Sequence, residues 1–354
     1  MASNRDNKNS IQIRKKKKNN DKELEKGSGK TCLDEKAEQI TIERSKIVKF
    51  IKRTLEKTPN GLRTEFQAMK RTNNWEAMKA FKAANELGKN RYKDVGCLDA
   101  SRVKLQMPPW DHEYIHGNFV STPSNPKRFI CTQAPMEKTC ADFWFMCLTE
   151  RVEVIFMLCN LKEKGANKCF EYFPSKGNET LTFEEGSHKI TVKMTHAPVM
   201  LKFTGEDVKA KVKLTTVIVE GAGERPLRTN HYHWIDWPDR GVPPADSAII
   251  QLLEKTRGTK YPMVVHCSAG IGRTGSVVMI EYMLDQISRQ VDIEDTDKIL
   301  LKIRDQRNNS VQTDHQYLFV HQVYLNYFKF RGVLPADIEA HLEKFTKEYH
   351  KLVI

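Results

Sequence analysis

Apolar residues change their spacing twice along this chain. Ile47, Val48, Ile51 and Leu55 recur at helical intervals, and Thr58-Pro59-Asn60-Gly61 predicts a stop. Leu62, Phe66 and Met69, then Met78, Phe81 and Leu87, predict a second helical region that Gly88 closes. From Tyr114 the pattern turns to strands at Tyr114–Val120, Phe129–Thr132 and Val154–Leu158. Runs at Thr180–Glu184, Lys189–Thr195 and Val212–Val219 are joined by Gly- and charge-bearing turns and predict antiparallel hairpins. His231–Ile235 and Met263–His266 read as further strands. Helices are predicted at Thr139–Val152, Ala245–Arg257, Thr274–Gln290, Thr296–Arg307, Asp314–Phe330 and Pro335–Leu352, the last as an amphipathic C-terminal segment over 332–354. Strands and helices alternate in the middle and helices dominate the end. That order predicts one α/β domain on a mixed sheet.

The N-terminus stands outside this pattern. Residues 1–38 are rich in Lys, Asn, Asp and Glu, with Gly27-Ser28-Gly29 as a break, and predict a disordered tail that cannot bury enough apolar surface. Residues 1–30 hold ten Lys/Arg against four Asp/Glu. The run from Arg14 to Lys18 reads as a nuclear-import signal, an anionic-surface contact or a solvated tail. Net charge over the 354 residues is +13, so the remainder is positive as well. A positive domain suits anionic substrates through electrostatic steering. Nucleic acid is the other option, but no helix-turn-helix, zinc or RNA-binding signature accompanies the charge. The chain shows no apolar run of the roughly 18 residues a membrane helix needs, and no signal-peptide core. Its eight cysteines are then expected as reduced thiols, in a cytoplasmic or nuclear setting.

The chemistry concentrates in Val264-Val265-His266-Cys267-Ser268-Ala269-Gly270-Ile271-Gly272-Arg273-Thr274-Gly275. An apolar strand leads in and an apolar-periodic helix leads out. Backbone N–H groups from Ser268 through Ala269, Gly270, Ile271 and Gly272 to Arg273 can cradle a tetrahedral dianion at the positive end of that helix. Such a field stabilises thiolate at Cys267. Arg273 brings a planar fork that holds two phosphate oxygens. A lone cysteine reads as a buried, inert thiol; a cysteine and an arginine six positions apart around glycines do not. The Gly-Lys-Ser/Thr of mononucleotide-binding loops is missing.

This segment resembles the signature loop of the protein-tyrosine phosphatases, and further motifs follow in the family's order from about Thr41 to Arg331. Lys89-Asn90-Arg91-Tyr92-Lys93-Asp94-Val95 resembles the phosphotyrosine-recognition loop, and Trp237-Pro238-Asp239-Arg240-Gly241-Val242-Pro243 the mobile acid loop. Glu163-Lys164-Gly165 with Lys168-Cys169, and Gln312-Thr313-Asp314-His315-Gln316-Tyr317, resemble two more loops of the site. The resemblance implies a highly twisted mixed sheet flanked by helices over residues 39–331, and metal-free, cofactor-free hydrolysis of phosphotyrosine in proteins. It implies Cys267 as nucleophile, Arg273 as phosphate clamp and Asp239 as general acid. Gln316 would orient water, Thr274 would ease departure of the thiolate, and His266 would organise the loop from behind. Tyr92 would wall the substrate ring, Asp94 would hold substrate backbone, and Lys93 would favour acidic flanks. Gln312 would contact substrate; Glu163, Lys168, Trp237 and Pro238 would support these groups. Taken alone, Asp239 reads as a turn aspartate and Gln316 as helix surface.

The sequence also departs from the family pattern. His116-Gly117 replaces Asn-Ala, Ala134 stands where Gly is frequent, and Asn309-Ser310 precedes Val311 where Met is frequent. None of these removes a catalytic group. Rival readings are a phosphotyrosine-binding pseudophosphatase, a scaffold acting through its tail and C-terminal helix, and a dual-specificity enzyme. The first is disfavoured by the retained Cys, Arg and Asp, and the last by the Tyr92 loop.

Overall fold

The structure, a computed structural model, describes residues 32–176, 179–205, 208–293 and 295–353. The chain divides into two units, 1–40 and 41–354. Most of the expected tail lies outside the described residues. Residues 32–38, expected to be disordered, are instead helical. The reason is local: after Gly29 the chain runs through Leu33, Glu35, Lys36, Ala37 and Glu38, all strong helix formers.

Helix α1 (Cys32–Ala68) is two runs in one. Thr58 leaves helical geometry at φ 57°, ψ 163°, directly before Pro59. Proline cannot continue a helix but suits the first position of a new one. The Thr58 hydroxyl accepts from Gly61 N at 3.4 Å, capping the second run. Helix α2 (Lys79–Glu86) follows.

The strands are β1 (Arg102–Lys104), β2 (Tyr114–Val120), β3 (Phe129–Thr132), β4 (Val154–Met157), β5 (Lys162–Glu163), β6 (Ala166–Asn167), β7 (Thr180–Glu185), β8 (His188–Met194), β9 (Val199–Met200), β10 (Val212–Gly221), β11 (Glu224–Trp234) and β12 (Met263–His266). The large sheet runs β1-β2-β3-β12-β4-β11-β10-β8-β7, with β9 paired to β10, while β5 and β6 form a separate hairpin. Its centre, β3-β12-β4-β11, is parallel, and both wings are antiparallel. Every residue of β3, β4 and β12 is buried, as parallel strands covered on both faces require.

Helices α3 (Cys140–Thr149), α4 (Ala248–Thr256), α5 (Gly272–Ser288), α6 (Thr296–Arg304), α7 (Asp314–Phe330) and α8 (Glu339–Val353) cover the sheet. Helix α3 packs on the β7–β8 side, and α5 lies against α4, α6 and α7. The C-terminal segment, expected as a part of its own, belongs to the same compact unit. Its Leu342, Phe345 and Tyr349 are buried in the main core. No helix among the described residues is long and apolar enough to cross a membrane.

Candidate active site

The site forms where the buried central strand β12 ends. His266 closes the strand, and α5 starts at Gly272. The five residues between must curl, and glycine decides how tightly. Gly270 sits at φ 71°, and a Cβ there would lie 1.9 Å from the Thr132 carbonyl oxygen. A Cβ on Gly272 would lie 2.4 Å from Gln312 Oε1 and 3.0 Å from Gln316 Nε2. The loop is therefore pressed against β3 on one side and the start of α7 on the other. Gly270→Ala is expected to destabilise the fold by about 1–3 kcal/mol and to abolish binding of inorganic phosphate. Calorimetry of unfolding and phosphate titration check the two effects.

The amides of Ser268, Ala269, Ile271, Gly272 and Arg273 meet no acceptor among the described residues, while Gly270 N donates to Cys267 Sγ at 3.2 Å. Buried donors without acceptors are rare in proteins. Five in one loop at a helix N-terminus make an anion receptor. Burial pushes the Cys267 thiol up, but the Arg273 charge and donors on Thr274 and Gly270 outweigh it and leave the thiol below its ordinary value. The Thr274 hydroxyl is buried and makes no hydrogen bond of standard geometry, so its effect is that of a nearby dipole. The other described cysteines whose thiols are shifted (Cys97, Cys131, Cys140, Cys147 and Cys159) are all pushed up, burial being the largest cause.

Arg273 is 3% exposed and makes four hydrogen bonds through its two terminal nitrogens. It grips Glu163 through two bonds of 2.6 and 2.8 Å, donates to the Trp237 carbonyl at 3.1 Å and reaches Asp239 Oδ1 at 3.2 Å. The other oxygen of Asp239 pairs with Lys168 Nζ at 2.9 Å. Burial raises the Asp239 carboxyl, but Lys168 and Arg273 hold it below the usual carboxylate range. Trp237 is buried against Trp234 and Phe319, while Pro238 is exposed and accepts from Gly241 N. Asn160 Nδ2 donates to the Ile235 carbonyl at 2.8 Å, tying the chain before β5 to the start of the acid loop.

Tyr92 packs on Val95, Ala269 and Ile271, and its hydroxyl meets Ser268 Oγ at 2.8 Å. Gln316 Oε1 accepts from Gln312 N at 2.8 Å, and Gln316 N bonds the Thr313 hydroxyl, so α7 starts with a capping box beside the loop. One pocket is lined by Tyr92, Asp94, Lys168, Asp239, Arg240, Cys267, Ser268, Ala269, Arg273, Gln312 and Gln316. Lys93 is exposed and does not line it. His266 is fully buried; it bonds Tyr172 Oη at 2.6 Å, and that hydroxyl also meets His231 at 2.7 Å. Burial lowers His266 to about 3, so it is neutral and acts by position.

Several residues here carried no functional sign in the sequence. Arg307, fully buried, donates to the carbonyls of Gly270 at 3.0 Å and Ala269 at 3.1 Å. It also reaches Asn118 Oδ1 at 2.8 Å and His116 Nδ1 at 3.3 Å. His116 in turn donates from Nε2 to the Val95 carbonyl at 2.8 Å. This unusual histidine thus links the loop's anchor to the Tyr92 segment, uncharged because burial and Arg307 lower it to about 3. Gln133 brackets the other end of that segment, accepting from Arg91 N and donating to the Lys89 carbonyl. Ala134 donates to the Ser268 carbonyl and accepts from Arg91 Nε. The Ser310 hydroxyl donates to the Arg307 carbonyl at 2.7 Å, and Asn309 takes the left-handed backbone at φ 58° that asparagine tolerates. The departures from the family pattern therefore leave no unmet polar group at these contacts.

A thiol lowered towards thiolate, set in an anion receptor and faced by an arginine and a carboxyl group, is the constellation of a cysteine-dependent phosphate-ester hydrolase. Comparison with known proteins agrees: the protein-tyrosine phosphatase family model matches residues 86–326, and the chain belongs to that family. Receptor-type tyrosine-protein phosphatase zeta of Rattus norvegicus is 38% identical over 242 residues, which is 66% of this chain and 10% of that protein. Human tyrosine-protein phosphatase non-receptor type 12 is 33% identical over 251 residues, 68% of this chain and 30% of that protein. The chain therefore spans only a minor part of the length of these relatives. A solved structure of PTPN18, from work on its fingerprint on distinct HER2 tyrosine phosphorylation sites, matches at TM-score 0.62 with 30% identity, covering 79% of this chain and 98% of that one.

Proposed function

We propose that this chain hydrolyses phosphotyrosine in proteins through a cysteinyl-phosphate intermediate. The observation that carries the reading is the thiol of Cys267 at the centre of a loop whose five amides lack acceptors. Cys267 thiolate attacks phosphorus while Arg273 and those amides hold the three non-bridging oxygens. The P–O bond to the phenol breaks as Asp239 delivers its proton to the leaving oxygen. Water placed by Gln316 then attacks phosphorus, Asp239 takes its proton, and the P–S bond breaks. Inorganic phosphate leaves, and the Cys267 thiolate is restored beside Thr274. Glu163, Lys168, Trp237 and Pro238 hold Arg273 and Asp239 in place, and His266 holds the loop from behind.

Substrate class follows from pocket depth. Tyr92 stands beside Ser268 and Ala269, so the phosphate lies at the foot of an aromatic wall. A phosphotyrosine spans that depth and a phosphoserine does not. PTPN18, solved in complex with HER2 phospho-peptides, supports the same class. Phosphotyrosyl peptides should be hydrolysed at least about a hundredfold faster than matched phosphoseryl ones, a misplaced phosphate costing that much or more. Tyr92→Ala should erode this ratio by about tenfold or more. Equal wild-type rates on the two peptides would move the chain to the dual-specificity class. The free thiols of Cys97, Cys131, Cys140, Cys147, Cys159, Cys169 and Cys267 support a reducing cytoplasmic or nuclear setting, with a role in signalling. The run from Arg14 to Lys18 supplies an anionic-surface or nuclear-import contact.

A further inference from the structure

The acid loop carries a cation that the chemistry above leaves unused. Arg240 follows Asp239, is exposed, and lines the pocket together with Asp94, Lys168 and Gln312. Its backbone is held at φ 59°, a left-handed conformation that arginine rarely adopts. The turn around it is tight: Gly241 N donates to the Pro238 carbonyl at 3.3 Å, and a Cβ on Gly241 would lie 2.9 Å from Pro238 Cγ. The loop thus directs the residue after the acid to the rim of the pocket.

Arg240 acts on Asp239 only at a distance, as the weakest of the three cations that lower its carboxyl. Asp239 is already paired on both oxygens, to Lys168 at 2.9 Å and Arg273 at 3.2 Å. Glu163 is consumed by Arg273. Among the described residues the Arg240 guanidinium has neither an ion pair nor a hydrogen bond. Lys93, the cation expected to read substrate flanks, lies outside the pocket lining. Guanidinium is the better reader in any case, because its fork matches a carboxylate in two-point geometry.

We propose that Arg240 selects substrates, pairing with a carboxylate side chain next to the phosphotyrosine as the acid loop covers the pocket. This rests on the proposed phosphotyrosine activity and deepens it. A carboxylate that binds Arg240 engages the same short turn that carries the acid, so recognition of the flank and placement of Asp239 occur together. Acidic flanks should therefore raise kcat through the loop, whereas a Lys93 contact would change KM alone.

The test is a ratio. Phosphotyrosyl peptides with Asp or Glu on both sides of the phosphotyrosine are compared with alanine-flanked peptides at low salt, taking kcat/KM for each. The ratio cancels any common effect of a variant on the chemical steps. Wild type should favour the acidic peptide about two- to fivefold, the range of an exposed pair, and the preference should shrink at high salt. Arg240→Asn, chosen because asparagine tolerates the backbone at this position, should bring the ratio to about one. Arg240→Glu should bring it below one, and Lys93→Ala should leave most of it. An unchanged ratio in both Arg240 variants, or no acidic preference in wild type, overturns the proposal and leaves the phosphatase reading intact. If wild type hydrolyses no phosphotyrosyl peptide and a Cys267→Ser protein binds none, the phosphatase reading fails and this one with it.

Discussion

Replacing Cys267 by serine should reduce turnover of a phosphotyrosyl peptide by roughly 10⁵-fold or more while the protein still folds and binds the peptide, a loss of the size seen when a nucleophile is removed. The loop around the sulfur is built to hold negative charge: five free amides, Gly270 N at 3.2 Å and the Arg273 guanidinium. Those groups bring a thiol below its ordinary value, but a hydroxyl starts far higher and stays protonated in the same field. The substitution removes no packing atom of consequence and leaves every anion donor in place. Binding measured by peptide fluorescence anisotropy, beside single-turnover assays, separates the two functions. Retention of a tenth of the wild-type rate would rule out the nucleophile. The described thiols with shifted values other than Cys267 are pushed up by burial, so none of them offers a substitute.

The second large effect concerns Asp239 and pH. General-acid catalysis contributes about 10²–10⁴-fold, and Asp239→Ala should lose that much in kcat with little change in peptide affinity. The sign of the pH dependence follows from the neighbours. Asp239 must be protonated to donate, so kcat should fall as pH rises through its value in the complex. Lys168 and Arg273 hold that carboxyl low. On the proposed mechanism Arg273 turns to phosphate when substrate binds, and Lys168 then remains the nearer depressing charge. Lys168→Met should raise the Asp239 value and shift the alkaline limb of kcat to higher pH; Asp239→Ala should abolish that limb. The acid limb of kcat/KM reports on the Cys267 thiolate and the second ionisation of the substrate phosphate, and both variants should leave it in place. A limb that stays put in Lys168→Met would show that some other group supplies the proton.

The groups proposed to react were easier to find in the sequence than their supports, for a physical reason. Strands β2, β3 and β12 and helix α7 were visible end to end because the strands are short, almost wholly buried runs with β-branched and aromatic residues and the helix is long. The first half of β11, Glu-Arg-Pro-Leu-Arg-Thr-Asn, is too polar to read as a strand; its pairing with β10 decides it. Strands β1, β5, β6 and β9 have two or three residues and leave no period to detect. In the site, Cys267, Arg273, Asp239, Gln316 and Tyr92 do meet around one pocket. Lys93 does not, because one position along a turn suffices to move a side chain off the lining. Arg307 was invisible, and Arg91, though inside a recognised motif, was given no role, as was Gln133: a charged or amide residue at a helix end or in a loop is surface by default, and only tertiary burial reveals it as an anchor. Arg240 stood in plain view within a motif, but only the pairing of both Asp239 oxygens with Lys168 and Arg273 showed that its guanidinium makes no contact there.

Arg307 makes the receptor loop a communal product. Its guanidinium joins the carbonyls of Ala269 and Gly270 to His116 and Asn118 on β2, and it stands just past the end of α6. The strand, loop and helix that carry Cys267 would, on their own, face water with those carbonyls and have nothing to fix their curvature. A nascent or partly melted chain therefore holds the same residues without the contacts that shape the loop. The receptor loop is complete only when segments about 190 residues apart have closed on one another, His116 and Arg307 being 191 positions apart. On the proposed phosphatase reading, a copy that has lost this closure should lose activity before it loses selectivity.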